Sequence, residues 1–257
     1  MSRSRIFAVV AVVVIAVAVG GFIVYDQVLR GDSTAALTLS TAAPSGGTSS
    51  ATSAPAASAS TVPGATSAAS GGATDGDVAG TWTVAAGSQA GYRVREQLAQ
   101  LPAESDAVGR TDQVTGTITV ETNGSTTTLS GGELTVDTTS ITSDKGMRDN
   151  RLRREGLETD TYPTATFKLT EPVDVPAAAL SGTPSDVTLT GDLTLHGVTR
   201  SVQIPAKAQL VDGTISVAGS LGFPLSDYSI VAPNVGGFIV SIADQGTLEF
   251  LVNFSKG

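Results

Sequence analysis

Gly191-Asp192-Leu193-Thr194-Leu195-His196-Gly197-Val198-Thr199-Arg200, GDLTLHGVTR, holds the only histidine in a chain of 257 residues. On both sides of His196-Gly197 apolar and polar residues alternate. Val187, Leu189, Leu193 and Leu195 precede the pair, and Val202, Ile204, Ala206, Ala208 and Leu210 follow it. A period of two places each set on one face of a half-buried strand. Histidine is enriched among the non-glycine residues that accept a left-handed backbone, and glycine accepts it at little cost, so the pair reads as a hairpin tip. A metal role finds no second His and no Cys to share the ion. No metal site and no cofactor are expected.

The alternation extends along the chain from about Trp82. Val114, Gly116, Ile118 and Val120 share a face, as do Ile215, Val217, Leu221 and Phe223, and later Leu248, Phe250, Val252 and Phe254. Asn123-Gly124 and Asp212-Gly213 fall between such runs, where tolerance of positive φ favours two-residue type I′ turns. The pattern is that of an antiparallel meander.

One segment departs from it. Thr142–Gly156, TSDKGMRDNRLRREG, begins with N-cap residues and closes on a glycine, the punctuation of a short helix. Met147 and Leu152 are its expected inward contacts. Lys145, Arg148, Arg151, Arg153 and Arg154 make it the basic concentration of a domain that, from Ala79 to Gly257, carries 12 Lys and Arg against 20 Asp and Glu. Two readings stay open: a solvated face paired with Asp149, Glu155 and Glu158, or a site for an anionic headgroup.

The N-terminal third has a different character. Ile6 to Val24 is 19 residues without a charge, about 28 Å as a helix at about 1.5 Å per residue. With Arg3 and Arg5 ahead of it, residues 1–5 are expected in the cytoplasm, 6–25 as a retained transmembrane signal-anchor helix, and the remainder outside. Cleavage after Ala16-Val17-Ala18 would leave an apolar tail and is disfavoured. Residues 26–78, dominated by Ser, Thr, Ala, Gly and Pro, bury too little apolar surface to offset their ordering entropy and are expected to be a disordered linker. The folded domain is expected over 79–257.

Zero cysteines exclude a disulfide framework, a thiol nucleophile, an iron–sulfur cluster and a lipobox anchor. A formal charge of −9 argues against a nucleic-acid partner.

Taken together, Arg148-Asp149-x-x-Leu152, Tyr162-Pro163-x-Ala165-x-Phe167, the Gly191–Thr199 run and Asp227-Tyr228 resemble the YceI-like domain in order and spacing, from about Trp82 to Phe254. Arg151 stands where a histidine is common, Ser201 where proline is usual, and Ser229 where glycine usually follows the Asp-aromatic pair. The resemblance implies an all-β fold: a lipocalin-like, eight-stranded antiparallel β-barrel with one short helical insertion. It also implies an apolar interior that holds a long-chain isoprenoid lipid or quinone, and no established catalytic residues. Gln97–Arg110, which lacks sustained alternation, reads as a loop at a barrel end.

On that reading the ligand is lined by Val187, Leu189, Leu193, Ile215, Val217, Leu221, Phe223, Phe250 and Val252, with Arg148 or Arg151 at a headgroup. Arg148, part of the shared pattern, is expected to pair with an internal carboxylate, which leaves Arg151 as the sharper headgroup candidate. The same inward side chains could fill a solid core, since alternation does not distinguish hollow from packed. Two other functions stay open. A stalked structural or adhesive module predicts a filled β-sandwich, and a hydrolase would have to recruit Ser220, in Ala218-Gly219-Ser220-Leu221-Gly222, together with His196.

Overall fold

A computed structural model describes residues 34–39, 78–98, 104–232 and 239–257. The expected transmembrane helix 6–25 and nearly all of the linker lie outside these residues. Among the described residues, no helix is long and apolar enough to cross a membrane.

Twelve strands form one sheet among the described residues: β1 (Gly80–Val84), β2 (Gln89–Leu98), β3 (Glu104–Thr111), β4 (Val114–Asn123), β5 (Thr126–Asp137), β6 (Thr142–Ser143), β7 (Thr164–Leu169), β8 (Val173–Val175), β9 (Ser185–Leu195), β10 (Val198–Val211), β11 (Thr214–Pro224) and β12 (Ile239–Lys256). The order β1-β4-β5-β7-β9-β10-β11-β12 returns on itself through antiparallel pairing of β1 with β12, Trp82 opposite Lys256 and Val84 opposite Phe254. That circuit is an eight-stranded antiparallel barrel. Closure removes the exposed edges that an open sheet would present. Of the remaining four strands, β2 continues β1, β3 leads into β4, β6 follows β5 through the turn at Thr138–Ser140, and the short β8 pairs with the start of β5, Thr127 opposite Val175.

The long strand β12 joins the two levels. Its C-terminal end pairs with β1 and the rest with β2, from Leu251 opposite Gln89 to Ile239 opposite Leu98. At the step between β1 and β2, the Ser88 hydroxyl donates to the Ala85 carbonyl at 2.7 Å and accepts from the Asn253 amide at 3.0 Å. The backbone groups freed by the irregularity are thereby satisfied.

The hairpin tips follow the sequence reading, with one shift. His196 (φ 51°) and Gly197 (φ 73°) connect Leu195 to Val198, and Asp212 (φ 49°) and Gly213 (φ 71°) connect Val211 to Thr214; both central residues are left-handed, as type I′ requires. At the third site Asn123 stays in β4, opposite Thr126, and the turn is Gly124-Ser125 with only Gly124 at positive φ. That arrangement is the one a II′ turn uses.

One expectation is corrected. Gln97–Arg110 is not a loop through most of its length: β2 runs to Leu98, and β3 begins at Glu104 and pairs residue by residue from Gln97↔Glu104 to Ala90↔Thr111. The alternation there is weak because the inward residues of β3 are small, Ala107 and Gly109, and an added Cβ on Gly109 would stand 2.3 Å from the Tyr92 ring. The short helical insertion lies where the sequence places it. Besides Gly146–Arg151, which continues as a wider π-type turn over Leu152–Gly156, a one-turn helix forms at Ala177–Leu180.

The motif residues pack against one another. A Cβ on Gly191 would lie 2.4 Å from the Lys168 carbonyl and 2.6 Å from the Phe167 ring, so a side chain there would push β7 from β9. The His196 ring stands edge-on to Tyr162 with centroids 4.6 Å apart. Its Nδ1 lies 3.0 Å from the Tyr228 carbonyl and its Nε2 3.1 Å from Glu158 Oε2. The histidine therefore forms a turn and also clips three neighbouring segments together.

Candidate functional site: an apolar cavity open at one end

Inward side chains from all around the barrel surround a cavity of about 870 Å³. Toward one end it is closed by a packed cluster that includes Trp82, Ile118, Val120, Val252 and Phe254, with Leu180, Leu210 and Ile215 against it. The Trp82 indole donates to the Val78 carbonyl at 2.9 Å, so its polar atom is satisfied within that plug. At the other end Lys145, Gly146, Met147, Arg148 and Arg151 border the cavity with Ile230, Ala232 and Ile242. Met147 is 81% exposed and Val231, between Ile230 and Ala232, is 73% exposed, which marks this end as the mouth.

Of the nine residues expected to line a ligand, Leu189, Leu193, Val217, Leu221, Phe223, Phe250 and Val252 border the cavity. Val187 and Ile215 do not. They face inward but belong to packed clusters, Ile215 beside the Asp212-Gly213 tip with the closing plug and Val187 with Leu189, Ile204 and Ala206. Met147 is the second correction at the site: expected inward, it is exposed on the rim, while Leu152 does pack inward against Ile141 and Leu157.

The basic segment resolves residue by residue. Arg148 Nη2 donates to Glu96, Nη1 donates to Asp144, and Nη1 also reaches the Ser143 hydroxyl at 3.3 Å. Burial tends to lower the Arg148 pKa, but the Glu96 and Asp144 carboxylates outweigh it and raise the value further above its ordinary range. Asp149 is buried and accepts from the Ser143 amide at 2.9 Å and the Ser143 hydroxyl at 2.6 Å, so it fixes the entry to the helix rather than neutralising a neighbouring arginine. Arg153 reaches the Thr139 and Ile141 carbonyls, each at 3.4 Å. Arg151 borders the mouth.

Four residues of β2 at the site are not singled out by the sequence reading. Ala90, Tyr92, Val94 and Glu96 alternate along β2 and all border the cavity, so a period-two count begun at Ala90 would have found them. Glu96 is the carboxylate that Arg148 holds. The Tyr92 hydroxyl is buried without a hydrogen-bond partner among the described residues, and burial, with the Asp149, Glu96 and Asp144 charges adding to it and Arg148 opposing it, pushes its pKa up to about 12. This places a protonated phenol in an otherwise apolar wall.

Ser220 lies in the middle of β11, opposite Glu249, and by alternation points away from the cavity-facing Leu221. His196 is engaged at its hairpin with Tyr228 and Glu158. The fold does not bring this serine and histidine into one site.

A closed antiparallel barrel with an apolar interior reached through one end is the architecture of a lipocalin-like small-ligand container. The model of the family described as the YceI-like domain matches residues 82–254, and the chain belongs to that family. It is 41% identical over 73 residues to the UPF0312 protein VPA0850 of Vibrio parahaemolyticus, a stretch that makes up 28% of this chain and 35% of the relative. It is 39% identical over 75 residues to Protein YceI of Escherichia coli, 29% of this chain and 35% of that protein. These matches thus span about a third of the length of the curated relatives. Among solved structures, a polyisoprenoid binding domain from Saccharophagus degradans shares the fold with a TM-score of 0.54 at 23% identity, over 70% of this chain and 99% of that one.

Proposed function

We propose that the barrel is a binding protein for a long-chain polyisoprenoid, a quinone or a prenyl phosphate, held with its chain in the cavity and its polar end at the Arg148–Arg151 mouth. The observation that carries the reading is the cavity itself: about 870 Å³ of mainly apolar space, lined for the most part by Leu, Ile, Val and Phe and open at one end. An apolar chain gains roughly 0.8 kcal/mol for each buried methylene, so a long isoprenoid binds without specific polar contacts and is selected by length and width. The relative from Saccharophagus degradans, named for polyisoprenoid binding, supports the ligand class. The role is binding rather than catalysis. A filled adhesive module has no use for such a cavity. We further propose that residues 6–25 anchor the chain in a membrane, with the barrel on the extracytoplasmic side.

Organic extraction of the purified chain followed by mass spectrometry tests the ligand. An isoprenoid should be recovered near one per barrel, and Leu221→Trp, which places a larger side chain where two inward clusters meet, should lower the occupancy at least severalfold while the barrel stays folded. Recovery of no apolar ligand from the wild type, together with no uptake of added quinone, rules the proposal out.

A further inference from the structure

Residues 34–39, inside the tract whose composition reads as a free linker, lie against the outer wall of the barrel. Arg93 Nη2 donates to the Thr34 carbonyl at 2.7 Å, and Arg110 Nη2 donates to the Ala35 carbonyl. The two guanidinium groups are already organised by the barrel. Glu249, 5% exposed, accepts from Arg93 Nε at 2.6 Å and from Arg110 at 3.2 Å, and Arg93 also bonds Asp106 at 2.9 Å. By alternation their side chains project from the face of β2, β3 and β12 opposite to Tyr92, Leu248 and Phe250. A fixed guanidinium with an outward N–H still to satisfy is a ready partner for the carbonyls of an extended strand.

The sequence of the segment fits this seat independently. Between Gly31 and Asp77 the only leucines are Leu37 and Leu39, and both are half-buried. Ala35 and Ala36 are small enough to let the backbone approach the wall closely.

We propose that Thr34–Leu39 is a strap that clamps the chain to the barrel wall and divides the tether into a short leash and a closed loop. The consequence for position rests on the reading of residues 6–25 as a membrane segment. Only residues 26–33 then separate the membrane from the strap, and eight residues reach at most about 29 Å. An unclamped linker would let the barrel wander several times farther. Arg93 lies three residues along β2 from Glu96 at the mouth, about 10 Å at the strand rise. The leash therefore draws the open end of the barrel toward the bilayer, where an isoprenoid ligand would enter.

The absence of cysteine allows clean site-directed labelling of the full chain. Spin labels on Ala36→Cys and Lys207→Cys should give one narrow distance distribution in detergent, and Leu37→Ser/Leu39→Ser should broaden it. A broad distribution in the otherwise wild-type chain overturns the strap. In vesicles, energy transfer from a fluorophore on Met147→Cys to a labelled lipid should fall at least twofold when 34–39 are replaced by Gly-Ser-Gly-Ser-Gly-Ser. A narrow distribution with unchanged transfer overturns the leash. A chain that fails to float with the vesicles overturns the anchor, and with it the leash, while the narrow distribution would keep the strap. Isoprenoid extraction is unaffected by any of these outcomes, so failure of the strap and failure of the binding proposal are separable.

Discussion

The guanidinium of Arg148 closes on the carboxylate of Glu96 at the rim of the cavity, with the two side chains 15% and 4% exposed. A carboxylate so buried is tolerable only while its partner is present, because the cost of an unpaired buried charge exceeds the gain from the pair. Arg148→Ala is therefore expected to destabilise the barrel by about 2–4 kcal/mol, measured by urea denaturation. Glu96→Gln/Arg148→Met should recover much of that loss.

Arg151→Ala should cost less stability and instead report on the ligand. If Arg151 contacts a headgroup, the substitution lowers affinity for a prenyl phosphate more than for a neutral quinone. An unchanged ratio of the two affinities removes Arg151 from the proposed mouth contacts.

Tyr92 sets an alkaline limit. Its folded pKa of about 12 lies above the ordinary value of 10.0, so the neutral phenol is favoured in the barrel. The contribution is fully present below pH 10 and declines as pH rises toward 12, at about 1.4 kcal/mol per unit of pKa difference. Tyr92→Phe should flatten the fall in denaturation midpoint across that window. A residual slope is expected from Tyr228, whose pKa burial also raises.

Ser229 sits at φ 56° after the turn Leu225–Tyr228, in a left-handed conformation that costs a non-glycine residue about 1 kcal/mol. Ser229→Gly should raise stability by up to about that amount, less the extra freedom that glycine gives the unfolded chain. A lower melting temperature in calorimetry would count against this account.

His196→Asn preserves the left-handed turn but removes the ring that faces Tyr162 and bonds Tyr228 and Glu158. A loss of about 1–2 kcal/mol is expected, with isoprenoid occupancy unchanged. A drop in occupancy at full stability would instead give this histidine a role in binding.

The different legibility of these features has a physical basis. The inward faces of β9 to β12 could be read because each strand alternates large apolar and polar residues, and His196-Gly197 and Asp212-Gly213 because left-handed turns admit few residue types. β3 was obscured because Ala107 and Gly109 are small, and they are small because Tyr92, on the neighbouring strand, takes up the space above Gly109. Met147 was misplaced for a related reason: an apolar residue on a short helix normally faces the core, whereas here it stands at an opening. Whether the interior is hollow was not legible, since Leu221 at the cavity wall and Ile215 in contact with the plug are chosen by the same solvent aversion. The difference depends on the distance to the opposite wall, and no single strand encodes that distance.

The last strand closes the ring, and this affects when the container comes into being. β12 pairs with β11 along one edge and with β1 and β2, more than 140 residues earlier, along the other. Until those residues have left the ribosome, the hairpins have no seam to close and the interior has no fourth side. Bringing together strands so distant in sequence carries a loop-closure cost before any contact compensates it, so closure of the ring should be the slow step of folding. Until the ring closes the chain is an open sheet with its apolar face exposed, and under the proposed binding role a lipid present at that stage is wrapped by the closing barrel rather than threaded into a finished one.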